Sequence, residues 1–149
     1  MSASVNVGLY HNDKLVSLLT FGKSRYNKKY DWEILRYVNR LGISITGGFA
    51  KMLKCFLNNY SGSIVTYSDR RWFDGSVYES NGFLKIGTSE PGYYYVKRGT
   101  RFNRLNFQKH KLQDKLETFD PSLTEWENMQ LNGWDRIWDC GNSCFKLED

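Results

Sequence analysis

The sequence has few of the residues on which disulfide-rich and metal-bound folds depend. Only three cysteines and two histidines occur among its 149 residues. An odd and sparse set of cysteines argues against a disulfide framework, and the distance between His11 and His110 argues against a closed zinc site. An HNH-type nuclease site needs neighbouring histidines, which are missing. Cleavage by carboxylates alone would need Asp69, Asp74 and Glu79 to gather around magnesium, and their spacing does not predict this.

Long apolar runs are also missing. No stretch approaches the roughly 20 residues needed to cross a bilayer, and the first residues lack the basic and apolar regions of a secretory signal. We therefore expect a soluble cytoplasmic protein with no membrane partner. Aromatic residues, in contrast, make up 16% of the chain, which favours a folded core over disorder. The length fits one domain.

The formal charge of +5 conceals an uneven distribution. Residues 1–112 carry 18 lysines and arginines against 7 acidic residues, whereas residues 113–149 carry 3 against 9. Residues 97–111, here named the basic segment, contain six basic and no acidic side chains, interleaved with aromatic residues. The six are Lys97, Arg98, Arg101, Arg104, Lys109 and Lys111. Phosphate backbones attract such a segment through counterion release, and aromatic or guanidinium planes stack on exposed bases.

Two other interpretations of the basic segment stay open. It could be a solvated amphipathic helix whose basic face only keeps the protein in solution, although ordinary exposed helices mix charges of both signs. The acidic C-terminal part could instead fold back on it, so that the charge asymmetry is compensated internally.

The N-terminal third predicts three strands. Residues 5–10 and 14–21 are apolar-rich runs separated by a turn at residues 11–13, which is a hairpin signal. Residues 31–39 alternate as a third strand, which places Trp32, Ile34 and Val38 on one face. Glu33, Leu35 and Tyr37 are predicted to lie on the other face.

A helix follows the glycine turn, Gly47-Gly48. Its apolar residues recur at helical spacing and predict a face that packs on a sheet. These residues are Phe49, Met52, Leu53, Phe56 and Leu57. Cys55 is expected to pack within the same helix. Because the first amides of a helix lack partners and its dipole is positive there, we expect this end to attract phosphate from a cofactor or a nucleic acid.

A buried strand is predicted at residues 63–68, followed by Asp69, Arg70, Arg71 and Trp72 and then a short helix near residues 75–81. Ligand-binding groups tend to follow such strands, and an arginine pair can hold phosphate while Asp69 orients one member. The alternative is a purely structural aspartate–arginine pair. Trp72 is expected to be buried, and the alternative is that its ring stacks on a base.

The remaining elements complete an α+β fold, a mixed α/β sandwich. Residues 84–87 and 93–97 are predicted to pair as strands, and Thr124 and Glu127 form a capping box for a helix that stops at Asn132. Residues 134–140 and 143–147 suggest a terminal hairpin, across which Cys140 and Cys144 could face each other.

Residues 7–96 resemble the GNAT (N-acetyltransferase-like) fold. In that fold a strand meander leads to a strand, a glycine-rich pyrophosphate turn, a helix, another strand and a short helix ending in Tyr-x-x-x-Gly-Phe, which Tyr78, Gly82 and Phe83 match. The resemblance implies a truncated GNAT-like central sheet with one long helix, in residues 1–97. Residues 98–149 would add the basic segment, a short helix and a β-hairpin, packed on the same domain.

Residues 47–53, 66–72 and 134–142 look like a phage-encoded domain found alone or with homing endonucleases of the very-short-patch-repair-like class. A more distant similarity is to phage Mom-type proteins, which modify DNA. These resemblances imply a phage protein that binds DNA in the host cytoplasm, as an accessory or recognition module. The basic segment, the glycine turn and Arg70-Arg71 would form the contact.

Two alternatives accompany this prediction. The first is a DNA-directed acyltransferase or base-modifying transferase. Its acyl-coenzyme A would lie at the turn, although the family's Arg or Gln position is Ile45 here; the turn residues are Gly47, Gly48, Phe49, Ala50 and Lys51. By resemblance Tyr78 would be the general acid, and Glu33 is the most plausible base. The second is an inhibitor of a host defence protein that uses the acidic C-terminal hairpin.

Overall fold

The computed structural model describes residues 3–148, an α+β chain that divides into two compact units. One unit contains the chain up to Ser89 and again from Asn142, and the other is Glu90–Gly141. The chain therefore divides at residues 89 and 142, whereas the sequence suggested a boundary between residues 97 and 98. In the described part, no helix is long and apolar enough to span a membrane.

The first unit is built on a six-stranded sheet with the order β1-β2-β3-β4-β9-β5. Its strands are β1 (Val5–His11), β2 (Lys14–Lys23), β3 (Trp32–Asn39), β4 (Ile64–Asp69), β5 (Leu84–Thr88) and β9 (Asn142–Leu147). All neighbours are antiparallel except β3 and β4. The predicted hairpin of β1 and β2 is confirmed. Its turn residues Asn12 and Asp13 both have positive φ, as a tight two-residue hairpin turn requires.

The predicted third strand is confirmed, but the face assignments of Tyr37 and Val38 are wrong. Tyr37 was expected on the face of β3 opposite to that of Ile34. The two lie on the same face, because a β-bulge at Leu35 inserts one extra residue and reverses the alternation beyond it. Tyr37 consequently packs on the same core as Trp32 and Ile34, with its ring centroid 5.2 Å from that of Phe49.

The predicted helix is α1 (Gly48–Leu57), which connects β3 to β4. Its apolar face is buried through Phe49, Met52, Leu53 and Phe56, and the ring of Phe56 stacks on a phenylalanine of β2. Cys55 is exposed, contrary to expectation, because its position on the helix falls outside the buried stripe. A second helix, α2 (Ser76–Glu79), follows β4 as predicted.

Two predicted strand pairs are wrong. Strand β5 pairs with β9, not with β6 (Tyr93–Lys97), which belongs to the second unit. The terminal hairpin does not form either, because β8 (Asp135–Trp138) pairs with β6 while β9 lies between β4 and β5. Cys140 and Cys144 therefore do not face each other across a hairpin. Local sequence patterns located these strands but could not choose their partners.

The second unit contains a three-stranded antiparallel sheet with the order β7-β6-β8, where β7 is Thr100–Asn103. Tyr95, Phe107, Leu112 and Met129 form its core. Helix α3 (Glu125–Leu131) begins with the predicted capping box and is followed by Asn132. The two bonds of the box measure 2.8 and 3.2 Å.

The basic segment is not a helix. It runs from the end of β6 through β7 into two short 3-10 turns, Arg104–Phe107 and Lys109–Lys111. The amphipathic helix assumed in the first alternative is therefore wrong, since most of the segment belongs to a sheet and its following turns.

Candidate functional site

The glycine turn opens α1 without a side-chain cap. Gly47 has φ 70°, and its carbonyl accepts the first helical hydrogen bond, from the amide of Lys51, at 3.1 Å. Gly48 and Phe49 are buried, whereas Ala50 and Lys51 are exposed, and the first helical turn has no acidic residue. The N-terminal end of α1 therefore has a positive dipole end without a neutralising acidic side chain, which favours an anion.

A cleft opens between β3 and β4. These parallel strands pair only at Trp32 with Ile64 and at Glu33 with Val65. Beyond that point they part around a space of about 470 Å³, lined by residues 34–38, 67–69 and 73–78. The carboxyl ends of parallel strands are where α/β proteins commonly bind ligands.

Tyr78, the predicted general acid, lines this cleft but belongs largely to the core. Its ring packs against Phe49, Phe83 and Phe145 at centroid distances of 5.4 to 5.7 Å. The residues that match the Tyr-x-x-x-Gly-Phe pattern therefore also have a structural role. The rings of Tyr78 and Phe83 pack together, and the amide of Phe83 donates to the carbonyl of Tyr78 at 3.1 Å.

Glu33, the predicted base, is only 1% exposed and is engaged by Arg25. One carboxylate oxygen accepts from Nε and Nη2 of Arg25 at 3.0 and 2.7 Å, and the other accepts from the backbone amide of Arg25 at 2.9 Å. This hydrogen bonding raises the pKa of Arg25. The carboxylate holds the loop that follows β2, and a base role would require Arg25 to leave it.

Two further titratable side chains lie near Glu33, on neighbouring strands. Burial raises the pKa of Tyr67 to about 12, and burial also raises the pKa of the Cys144 thiol, which lies opposite Tyr67 on β9. Both groups are therefore protonated at neutral pH. Cys144 lacks the lowered pKa of a catalytic thiolate.

The loop after β4, residues 69–74, forms the predicted aspartate–arginine pair. Arg71 donates from Nη2 and Nε to the carboxylate of Asp69 at 2.7 and 3.2 Å, and its amide donates to the same group at 3.0 Å. These bonds lower the pKa of Asp69. The expected burial of Trp72 is wrong, because this side chain is 73% exposed.

The basic segment separates into lysines whose side chains donate hydrogen bonds to backbone carbonyls and arginines whose side chains do not. The ammonium groups of its three lysines donate to backbone carbonyls at 2.8 to 3.1 Å. These lysines are Lys97, Lys109 and Lys111. Arg98 lies in the turn between β6 and β7, while the guanidinium groups of Arg101 and Arg104 lie over the rings of Tyr94 and Tyr93, at 4.5 and 5.2 Å.

The sheet of the second unit has one face directed away from its core. Tyr95 is fully buried, so its neighbours along β6, Tyr94 and Val96, lie on the opposite face. Strand pairing adds Arg101 and Asp135 beside Val96 and adds the half-exposed Ile137 beside Tyr94. This surface, here named the arginine–tyrosine face, combines aromatic, apolar and cationic groups.

Internal charge compensation reaches only one end of the basic segment. Hydrogen bonds from Ser122 and Thr124 lower the pKa of Asp120 and Glu127, and the charge of Lys109 adds to this effect. No carboxylate within residues 3–148, however, lies at ion-pair distance from the arginines of the segment.

One partly buried cation was missed by the sequence analysis. The guanidinium of Arg136 lies over the rings of Tyr93 and Trp126, at 4.4 and 4.1 Å, and donates to the hydroxyl of Tyr95 at 3.3 Å. That hydroxyl donates to Glu125 at 2.7 Å. No sequence signal identified this cluster, because its members are separated by up to 43 positions and only the fold assembles them.

The predicted site residues thus belong to two units. The glycine turn, Glu33, Tyr78 and the arginine pair lie in the first unit, and the basic segment lies in the second. Across residues 3–148 no cluster of three or more histidine, cysteine, aspartate or glutamate side chains could hold a metal ion. Neither a known protein-family model nor a curated protein sequence matches this chain.

Proposed function

We propose that this protein binds nucleic acid, with DNA as its partner, through the arginine–tyrosine face together with Arg98 and Arg104 of the basic segment. One observation supports this most: three arginines lie within seven residues without an ion-paired carboxylate among residues 3–148, and two of them stack on tyrosine rings. Guanidinium groups of this kind form bidentate hydrogen bonds to phosphate. The ring of Tyr94 and the apolar side chain of the neighbouring Ile137 can contact sugars and bases.

The division between lysines and arginines narrows the predicted contact set. The three lysines stabilise the second unit by donating hydrogen bonds to backbone carbonyls. Replacing them would destabilise the fold, so a loss of binding could not be attributed to lost DNA contacts. They are Lys97, Lys109 and Lys111. Arg98, Arg101 and Arg104 are exposed and form no such bonds within the described residues. They are the residues whose loss tests binding most directly.

Replacing Arg98, Arg101 and Arg104 together by alanine is expected to weaken duplex DNA binding by about tenfold or more at low salt, and to reduce the slope of log Kd against log salt by about three. The expected cause is the loss of three phosphate contacts. Fluorescence anisotropy of a labelled duplex, recorded across a salt series, measures both quantities.

A matched control removes the same charge elsewhere. Lys14, Lys54 and Lys85 are exposed lysines of the first unit, and their triple alanine variant changes the net charge equally. It should retain most of the affinity. Asp135→Asn, on the arginine–tyrosine face itself, should strengthen binding. Equal losses in the two triple variants would show that only net charge matters and would contradict the proposed face.

A second candidate function is acyl transfer in the first unit, favoured by the cleft between β3 and β4. The residues present fit an acyl-coenzyme A: the uncapped amides of the glycine turn and Lys51 would hold its phosphates, and the cleft would take its acyl end. The bound cofactor would supply an activated acyl group. Tyr78 lines the cleft and would protonate the departing thiolate.

Acetyl-coenzyme A is expected to raise the thermal unfolding midpoint of the protein if this candidate is right, because ligands that bind only the folded state stabilise it. The measurement is a thermal-shift titration, with adenosine 5′-diphosphate as the control for phosphate binding alone. No shift at millimolar acetyl-coenzyme A would count against acyl transfer while leaving DNA binding untouched.

A further inference from the structure

The loop between β4 and α2 carries two aromatic side chains that point away from the core. Trp72 is 73% exposed and Phe73 is 68% exposed, and they lie three and four residues beyond the end of β4, whose Ile64 and Val65 are buried. Adjacent large aromatic residues at this level of exposure are unfavourable in water, and clustered exposed apolar surface marks interaction sites. Residues 69–74 are named the aromatic loop below.

The aromatic loop is held firmly by its own hydrogen bonds. The amides of Trp72 and Phe73 donate to the carbonyl of Asp69 at 3.1 and 3.0 Å. The hydroxyl of Ser68, at the end of β4, donates to the carbonyl of Phe73 at 3.3 Å. The carboxylate of Asp74 accepts from the amide of Ser76 at 2.9 Å, which joins the loop to the start of α2. A fixed backbone presents the two rings at little additional cost in conformational entropy.

The loop places two guanidinium groups next to its two aromatic rings, and its two aspartates balance their charge. Arg70 and Arg71 precede the two rings, and Asp69 orients Arg71 through four hydrogen bonds. The carboxylate of Asp69 accepts hydrogen bonds from Arg71, and the carboxylate of Asp74 accepts hydrogen bonds from Ser76. These bonds lower the pKa values of both aspartates. Aromatic rings next to guanidinium groups suit a nucleobase with its phosphate.

We propose that the aromatic loop stacks on unpaired nucleobases, a proposal that rests on the nucleic-acid binding proposed above. In a duplex the faces of the bases are covered by their neighbours, and only the edges are accessible. A ring of Trp72 or Phe73 therefore needs a single strand, a strand end or an extruded base. Base–aromatic stacking tolerates any sequence, so the contact selects unpaired structure and not a particular base.

The test compares two single-stranded probes of equal charge: a labelled oligodeoxynucleotide and the same backbone with abasic residues in place of its central bases. The intact protein should bind the probe with bases about tenfold more tightly for each stacked base. The double variant Trp72→Ala, Phe73→Ala should lose that preference and bind both probes equally. Its affinity for duplex DNA should stay unchanged.

Two control variants separate stacking from other effects. Trp72→Phe keeps an aromatic ring and should retain most of the preference. Tyr26→Ala removes a tyrosine of comparable exposure, 76%, from another loop of the same unit and should leave the preference intact. Because the side chains of Trp72 and Phe73 are exposed, the double variant should fold, which its thermal unfolding midpoint will check.

The possible outcomes distinguish this inference from the function on which it rests. Salt-dependent duplex binding combined with equal affinity for the two single-stranded probes would overturn base stacking and leave the arginine–tyrosine face standing. Equal weakening of both probes in the double variant would make the loop a backbone contact and would also overturn stacking. Failure of the intact protein to bind any nucleic acid would overturn both proposals. If the intact protein self-associates and the double variant does not, the loop is instead a contact between two copies of the chain, and base stacking is overturned.

Discussion

Arg25→Ala is expected to lower the free energy of unfolding by about 3 kcal/mol, because it leaves the carboxylate of Glu33 buried without its charged partner. Glu33 is 1% exposed and accepts three hydrogen bonds from Arg25, two of them from the guanidinium. The backbone amide of residue 25 would still donate one bond but could not replace the lost charge. Urea denaturation followed by circular dichroism measures the change.

The two partners differ in burial, which supplies an internal control. The side chain of Arg25 is 39% exposed, so water can hydrate its guanidinium when Glu33 is replaced by glutamine. Glu33→Gln should therefore cost clearly less than Arg25→Ala. The double variant Arg25→Ala, Glu33→Gln should be more stable than Arg25→Ala alone, since it removes the buried charge. Equal costs for the two single variants would contradict this account of the pair.

Gly75→Ala should destabilise the first unit by about 3 kcal/mol through two separate effects. Gly75 has φ 92°, a conformation that side chains other than glycine rarely adopt. An added Cβ would also collide with the ring of Phe145, which is fully buried in the core beneath α2. Since a packed core cannot move a phenylalanine ring cheaply, the collision adds to the backbone strain. Thermal and urea unfolding measure the total.

Gly42→Ala measures the cost of backbone strain alone, without a steric collision. Gly42 has φ 80°, and an added Cβ there would meet no atom within 4 Å. Its cost should be only about 1 kcal/mol, from strain alone. The difference between the two variants estimates the overpacking against Phe145. If both variants lost the same stability, the contact between Gly75 and Phe145 would have no energetic weight.

The elements that the sequence predicted correctly are those with a local signal. The hairpin of β1 and β2, the amphipathic α1 and the capping box of α3 each depend on residues within one or two turns of each other. The glycine turn belongs to the same group, because Gly47 lies directly before α1 and has the positive φ that favours glycine.

The wrong predictions concern pairing and exposure. Strand β9 was assigned to a hairpin with the preceding strand, yet it lies between β4 and β5, more than 50 residues away in sequence. Tyr37 changed faces because of one bulge, Cys55 fell outside the buried stripe, and Trp72 is exposed on a hydrogen-bonded loop. The partners of β9 depend on contacts between distant residues, which periodicity does not report, whereas the exposure of Cys55 follows from its position on α1.

For the candidate site, the sequence by itself determined the charge asymmetry, the cations of the basic segment and the glycines before α1. Only the tertiary structure decided the contacts of those cations: the ammonium groups of the lysines donate to backbone carbonyls, whereas the guanidinium groups of Arg101 and Arg104 lie over tyrosine rings. It also decided that Glu33 holds a loop and that Trp72 meets solvent. The physical reason is that charge and local propensity belong to residues, whereas burial and hydrogen-bond partners belong to segments that the chain brings together from far apart.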